Sequence, residues 1–141
     1  MTQFKYLDKG LSSNSSLGAL ANANHNSTYR GVLDQLFCDL YNSKCSGIDI
    51  KINEVCDLLR FEGLVSELQF ARYFALAKKW QVDLLASNAF GNRRAPDMVV
   101  TSSARKYFVE VKNIQFDAEE HTFGIMAATM VNQKGCITCC I

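Results

Sequence analysis

The hydrophobic period changes at Trp80, and that change restricts the folds open to the chain more than any other feature. Before Trp80 the apolar residues recur at helical spacing, and after it they alternate as in strands with one buried face. A chain that carries both periods is neither a helical bundle nor an all-β sandwich, so a mixed α/β class is expected. Its 141 residues suit one domain, able to bury roughly two thirds of the surface of its unfolded chain. With 48% hydrophobic residues and a net charge of +1, wholesale disorder and a histone-like basic protein are excluded, though a local basic patch is not.

Residues 1–27 are rich in Ser, Asn and Gly and read as a mobile lead-in. A helical extension follows over 28–63. In its first helix Val32, Leu33, Leu36, Phe37 and Leu40 share a face, with Ser27 or Thr28 as cap, and 42–47 form a turn. A second helix is expected at about 51–60, on Ile52, Val55, Cys56 and Leu59, with Gly63 separating it from a third over Leu64 to Trp80. From residue 64 to 141 the expected order is α-β-β-β-α-β. Its strands are QVDLLAS, PDMVVTS and KYFVEVKNI, then a helix over 117–133, then CITCCI. Asp117, Glu119 and Glu120 in the first turn of that last helix would suit its positive end.

The longest uncharged apolar stretch, Thr122 to Gln133, is shorter than the ~20 residues of a membrane-spanning helix. The N-terminus lacks the apolar centre of a signal peptide. The six cysteines are therefore expected as thiols in a reducing compartment, with the cytoplasm as default and no membrane partner.

Chemistry concentrates around the single proline. Pro96-Asp97 opens the second strand and Glu110-Val111-Lys112 ends the third. Alternation sends Glu110 and Lys112 to one face, and Tyr107, Val109 and Val111 to the other, the core face. Across a short turn Asp97 can come alongside Glu110. Two carboxylates with a lysine suit phosphodiester hydrolysis: the carboxylates hold Mg²⁺, which acidifies a bound water, and the lysine orients that water and stabilises developing charge. The bland alternative is an ion pair on a solvated strand beside an ordinary turn.

PD, a short hairpin and E-x-K after an alternating strand resemble the PD-(D/E)xK nuclease superfamily, which includes restriction endonucleases, Holliday-junction resolvases and repair exonucleases. The resemblance covers residues 64–141. It implies a restriction-endonuclease-like α-β-β-β-α-β core, a mixed four-stranded sheet flanked by helices, with junction-resolvase-like spacing. It also implies Mg²⁺- or Mn²⁺-dependent cleavage of DNA, as a restriction-type or repair and recombination endonuclease. Asp97, Glu110 and the carbonyl of Val111 would bind the metal, and Lys112 would be the catalytic lysine. Many such endonucleases act as homodimers. The family's acidic residue on the preceding helix would be Glu67, on the shoulder of that helix's apolar face. There it needs a cation, or pairing with Lys78 or Arg72, or an outward path to solvent.

Five basic residues between Asn88 and Asn113 (Arg93, Arg94, Arg105, Lys106 and Lys112) surround only two acids, Asp97 and Glu110. The first four are candidate phosphate contacts, or a solvated loop and turn that aid solubility. Two rival functions share these residues: a catalytically silent nucleic-acid-binding module, and a toxin-like nuclease that cuts RNA. Cys136, Cys139 and Cys140 depart from the ligand spacing of an iron–sulfur cluster, because adjacent strand residues face opposite ways, so buried thiols are expected. His25 and His121 lack partners at ligand or triad spacing. No Walker loop, Gly-rich dinucleotide turn or HExxH helix is present. The chain ends inside an apolar strand without a polar tail, as a fragment would.

Overall fold

The computed structural model describes residues 4–11, 27–55, 58–115, 124–132 and 135–140, with 58, 59, 113–115 and the last two segments described by backbone alone. Within the stretch read as a lead-in, Lys5–Leu11 forms a helix, α1, with Leu7, Gly10 and Leu11 buried. Seven residues make too short a helix to persist alone. Its orphan N–H groups at Tyr6 and Leu7 donate to Asp34 Oδ1 at 2.7 and 2.8 Å, so a carboxylate on the next helix caps it. Gly10 permits the close approach, since a Cβ there would lie 2.7 Å from the Phe37 ring.

Helix α2 spans Ser27–Tyr41 and buries Leu33, Leu36, Phe37 and Leu40. Val32, expected on the same face, is exposed. The expected turn at 42–47 contains a two-residue strand, β1 (Cys45–Ser46), which ends at Gly47. Only glycine suits this position, where φ is 81° and a Cβ would meet the Leu84 carbonyl oxygen at 2.2 Å. Helix α3 (Ile48–Asn53) therefore starts and ends earlier than the helix expected at 51–60. Helix α4 (Leu58–Arg72) passes straight through Gly63, and a π-helical turn at Tyr73–Ala77 extends it. At the change of period, the Trp80 ring lies between those of Phe74 and Tyr107, with centroids at 5.9 and 5.5 Å, and ties helix to sheet.

The four expected strands are present as β2 (Gln81–Leu84), β3 (Met98–Thr101), β4 (Lys106–Gln115) and β6 (Gly135–Cys140). The helix expected over 117–133 is corrected: Gly124–Asn132 is a strand, β5, in register with β4 from Phe108↔Val131 to Gln115↔Gly124. Its Ala and Met residues and the acids ahead of it suit a helix, but propensity yields to pairing with a ten-residue neighbour. The first turn of the expected helix and His121 lie outside the described residues, as does His25. The α-β-β-β-α-β order is thereby lost, and the described sheet has six strands rather than four, in the order β1-β2-β3-β4-β5-β6. Only β1 and β2 run parallel. The fold is mixed α/β, with helices packed on a mixed sheet. One buried cluster joins α1 through β4, including Phe37, Ile52, Phe61, Leu68, Val82, Met98 and Val109. Among the described residues, no helix is long and apolar enough to cross a membrane.

Candidate active site

Asp97 stands where β3 begins, and its backbone is out of step with β4. The ladder pairs Met98 with Val109, yet the Asp97 N–H also donates to the Val109 carbonyl, at 2.9 Å. Such a one-residue slip, as in a β-bulge, re-aims a side chain. Asp97 Oδ2 accepts the Val111 N–H at 2.6 Å, and Oδ1 lies 3.7 Å from Lys51 Nζ. The expected neighbour on the same face, Glu110, has other partners. Its Oε1 meets Lys112 Nζ and, at 2.7 Å, Arg94 Nη2. The Lys112 hydrogen bond and these two positive charges hold its carboxyl below the usual range. Alternation in β4 follows expectation: Val109 is buried, Tyr107 and Val111 pack on the core, and Lys112 is exposed.

Glu67 projects from α4 toward Asp97. It pairs with neither expected partner: Arg72 bonds Asp39 at 2.6 Å, and Lys78 lies over the Tyr73 ring. Its partner is Lys51, whose Nζ is 3.1 Å from Glu67 Oε2. This oxygen is buried, and among the described residues it has the ion pair with Lys51 but no hydrogen bond of good geometry. Burial, then the Asp97 charge, push the Glu67 carboxyl from 4.5 up to about 7, although Lys51 pulls it down.

Lys51 is not among the residues that the sequence singles out, yet only 6% of it is exposed. A signal exists: Ile48, Ile52 and Val55 form a stripe at i, i+4 and i+7, and Lys51 at i+3 lies on it. Starting the helix near residue 51 hides that stripe. A lysine facing the core implies a buried carboxylate partner.

The cluster opens onto a cleft of about 410 Å³, lined in part by Glu54, Arg60, Gly63, Ser87 and Asp97. Glu54 accepts the backbone N–H and hydroxyl of Ser87 at 2.8 and 3.0 Å, fixing the start of the 87–97 loop. Arg93, Arg94, Arg105 and Lys106 are all exposed. Side chains of Cys136, Cys139 and Cys140 lie outside what is described.

Among the described residues, no group of three or more His, Cys, Asp or Glu side chains is placed to hold a metal ion. Mg²⁺ asks for less, since one or two carboxylates and several waters suffice. Glu67 and Asp97 fit that demand: both are hard oxygen donors, one with a buried oxygen lacking a hydrogen bond, and they already share one cation, the Lys51 ammonium. Comparison with protein-family models, curated proteins and solved structures returns no match for this chain.

Proposed function

We propose that the chain is a metal-dependent nuclease that hydrolyses phosphodiester bonds of DNA, with an active site of the PD-(D/E)xK kind built on α3, α4, the start of β3 and β4. The Glu67–Asp97 pair carries this reading. Two carboxylates beside a polar cleft, held together by one buried cation, have no structural need that apolar residues would not meet better.

In this reading Asp97 and Glu67 hold Mg²⁺ or Mn²⁺, and Glu110 and the Val111 carbonyl are further candidate ligands on β4. The ion, when bound, supplies an acidified water and neutralises phosphate charge. Lys112, which stays with Glu110 on the outward face of β4 and outside the Glu67–Asp97 cluster, is the residue to which the resemblance gives the orienting of the attacking water and the stabilising of charge on the phosphoryl oxygens. Arg93, Arg94, Arg105 and Lys106 hold flanking phosphates. Lys51 keeps the two carboxylates together.

The test is cleavage of linear, junction and single-stranded DNA with Mg²⁺ or Mn²⁺. EDTA should abolish cutting, and Asp97→Ala or Lys112→Ala should slow it by about 100-fold or more. No cutting with either metal, or undiminished cutting by Lys112→Ala, defeats the proposal. A second reading, a catalytically silent nucleic-acid-binding module, draws support from Lys51 already pairing with both carboxylates and from Lys112 and Arg94 engaging Glu110. That module would keep its DNA affinity in EDTA and bind no divalent ion through Asp97. An RNA-cutting enzyme with the same site would show itself by RNA cleavage in the same assay.

A further inference from the structure

Two aromatic rings lie unburied together on the sheet face away from the helices. Phe90 is 48% exposed and Phe108 is 41% exposed, with their centroids 6.3 Å apart in an edge-to-face contact. Phe108 belongs to the outward set of β4, with Glu110 and Lys112 two and four residues on. Phe90 reaches it from the 87–97 loop, which turns sharply at Gly91, where φ is 69°, and closes through a bridge between Phe90 and Arg93. Val99, opposite Phe108 in register and only 8% exposed, backs the pair. The rings thus stand on a supported surface.

Their surroundings are basic. Arg93 and Arg94 follow Phe90 in the loop, and Lys106 and Lys112 share the Phe108 face, against two acids on that face among the described residues, Glu110 and Asp83, the latter in register with Val99. An apolar protein partner would not be drawn to arginines, whereas a polyanion with flat apolar bases matches both features. The loop that carries Phe90 also begins at Ser87 and ends at Asp97, both of which line the cleft.

We propose that Phe90 and Phe108 form a stacking platform for an unpaired base of single-stranded nucleic acid, with Arg93 and Arg94 taking its phosphates. This inference rests on the nuclease reading for its substrate and narrows that substrate to DNA with a single-stranded portion. Bases in a duplex have their faces covered by their neighbours and cannot lie on the rings. Stacking tolerates any base, so the platform selects strandedness rather than sequence.

The test is binding in EDTA, where no cutting occurs, of a labelled oligothymidine strand and of a blunt duplex. Phe90→Ala and Phe108→Ala should each weaken binding of the single strand by about tenfold and leave the duplex unaffected. Phe90→Tyr and Phe108→Tyr, which keep a ring, should retain the affinity and guard against loss of fold. Single-strand affinity unchanged in both alanine variants, an equal loss on the duplex, or no single-strand binding by the unaltered chain overturns the inference. The two proposals fail separately. A chain that stacks single strands but never cuts has lost only the nuclease reading. One that cuts duplex DNA with both alanine variants fully active on single strands has lost only the platform.

Discussion

Glu67 sets a pH dependence that the fold carries whether or not the chain cuts DNA. Below pH 4.5 its carboxyl is protonated in both the folded and the unfolded chain. As pH rises the unfolded chain ionises first, whereas the folded carboxyl, raised to about 7, resists. Stability must therefore fall between these two values and level off above the upper one. The loss is at most roughly 3–4 kcal/mol, since each pH unit between the two values costs about 1.4 kcal/mol. Glu67→Gln removes the ionisation and should flatten the decline. Trp80, the only tryptophan, reports unfolding through its place in the aromatic stack. Denaturant midpoints in EDTA at about pH 5 and about pH 8 should diverge for the unaltered chain and converge for the variant. Parallel behaviour would show that Glu67 ionises as freely in the fold as in solution.

At the scale of elements, α1 depends on a neighbour for its end. Asp34→Ala deletes the oxygen that accepts from Tyr6 and Leu7, at a cost of about 1 kcal/mol. The expected outcome is faster hydrogen exchange across Lys5–Leu11 with α2 unaffected; equal protection in the variant would show that packing alone holds α1. The same dependence on neighbours explains what the sequence conceals. Alternation in KYFVEVKNI announces β4, because its two faces meet different surroundings. GIMAATMVN has helix-favouring residues and becomes a strand only through β4. Gly63 reads as a breaker, and costs about 1 kcal/mol inside a helix, yet burial of Phe61, Leu64 and Leu68 offsets it. At the site, Asp97, Glu110 and Lys112 are legible from spacing. The backbone slip that gives Asp97 to Lys51 and Glu67 instead of Glu110 has no mark in the sequence, since it is a property of two strands together.

For the whole molecule, the question is whether residues 28–63 are an extension or part of the domain. The buried cluster spans that boundary: Leu33, Phe37, Leu40 and Ile52 pack in one core with Phe61, Leu68, Val82, Met98 and Val109. Lys51 adds a buried ion pair across the same boundary. Each fully buried side chain of this size contributes about 1.5–3 kcal/mol, so losing Leu33, Phe37, Leu40, Ile52 and Phe61 removes roughly 10 kcal/mol. That rivals the 5–15 kcal/mol by which domains of this size are typically stable. A chain beginning at Leu64 would also leave Glu67 and Asp97 without their lysine. It should therefore fail to fold, showing no cooperative transition and a solvent-exposed Trp80 spectrum. The full chain should unfold in one step, with Trp80 fluorescence and far-ultraviolet circular dichroism changing together, because helices and sheet lose the same contacts at once. Separate transitions in the full chain, or a cooperative fold from residue 64 onward, would mean that the strands hold a core of their own and the helices only rest upon it.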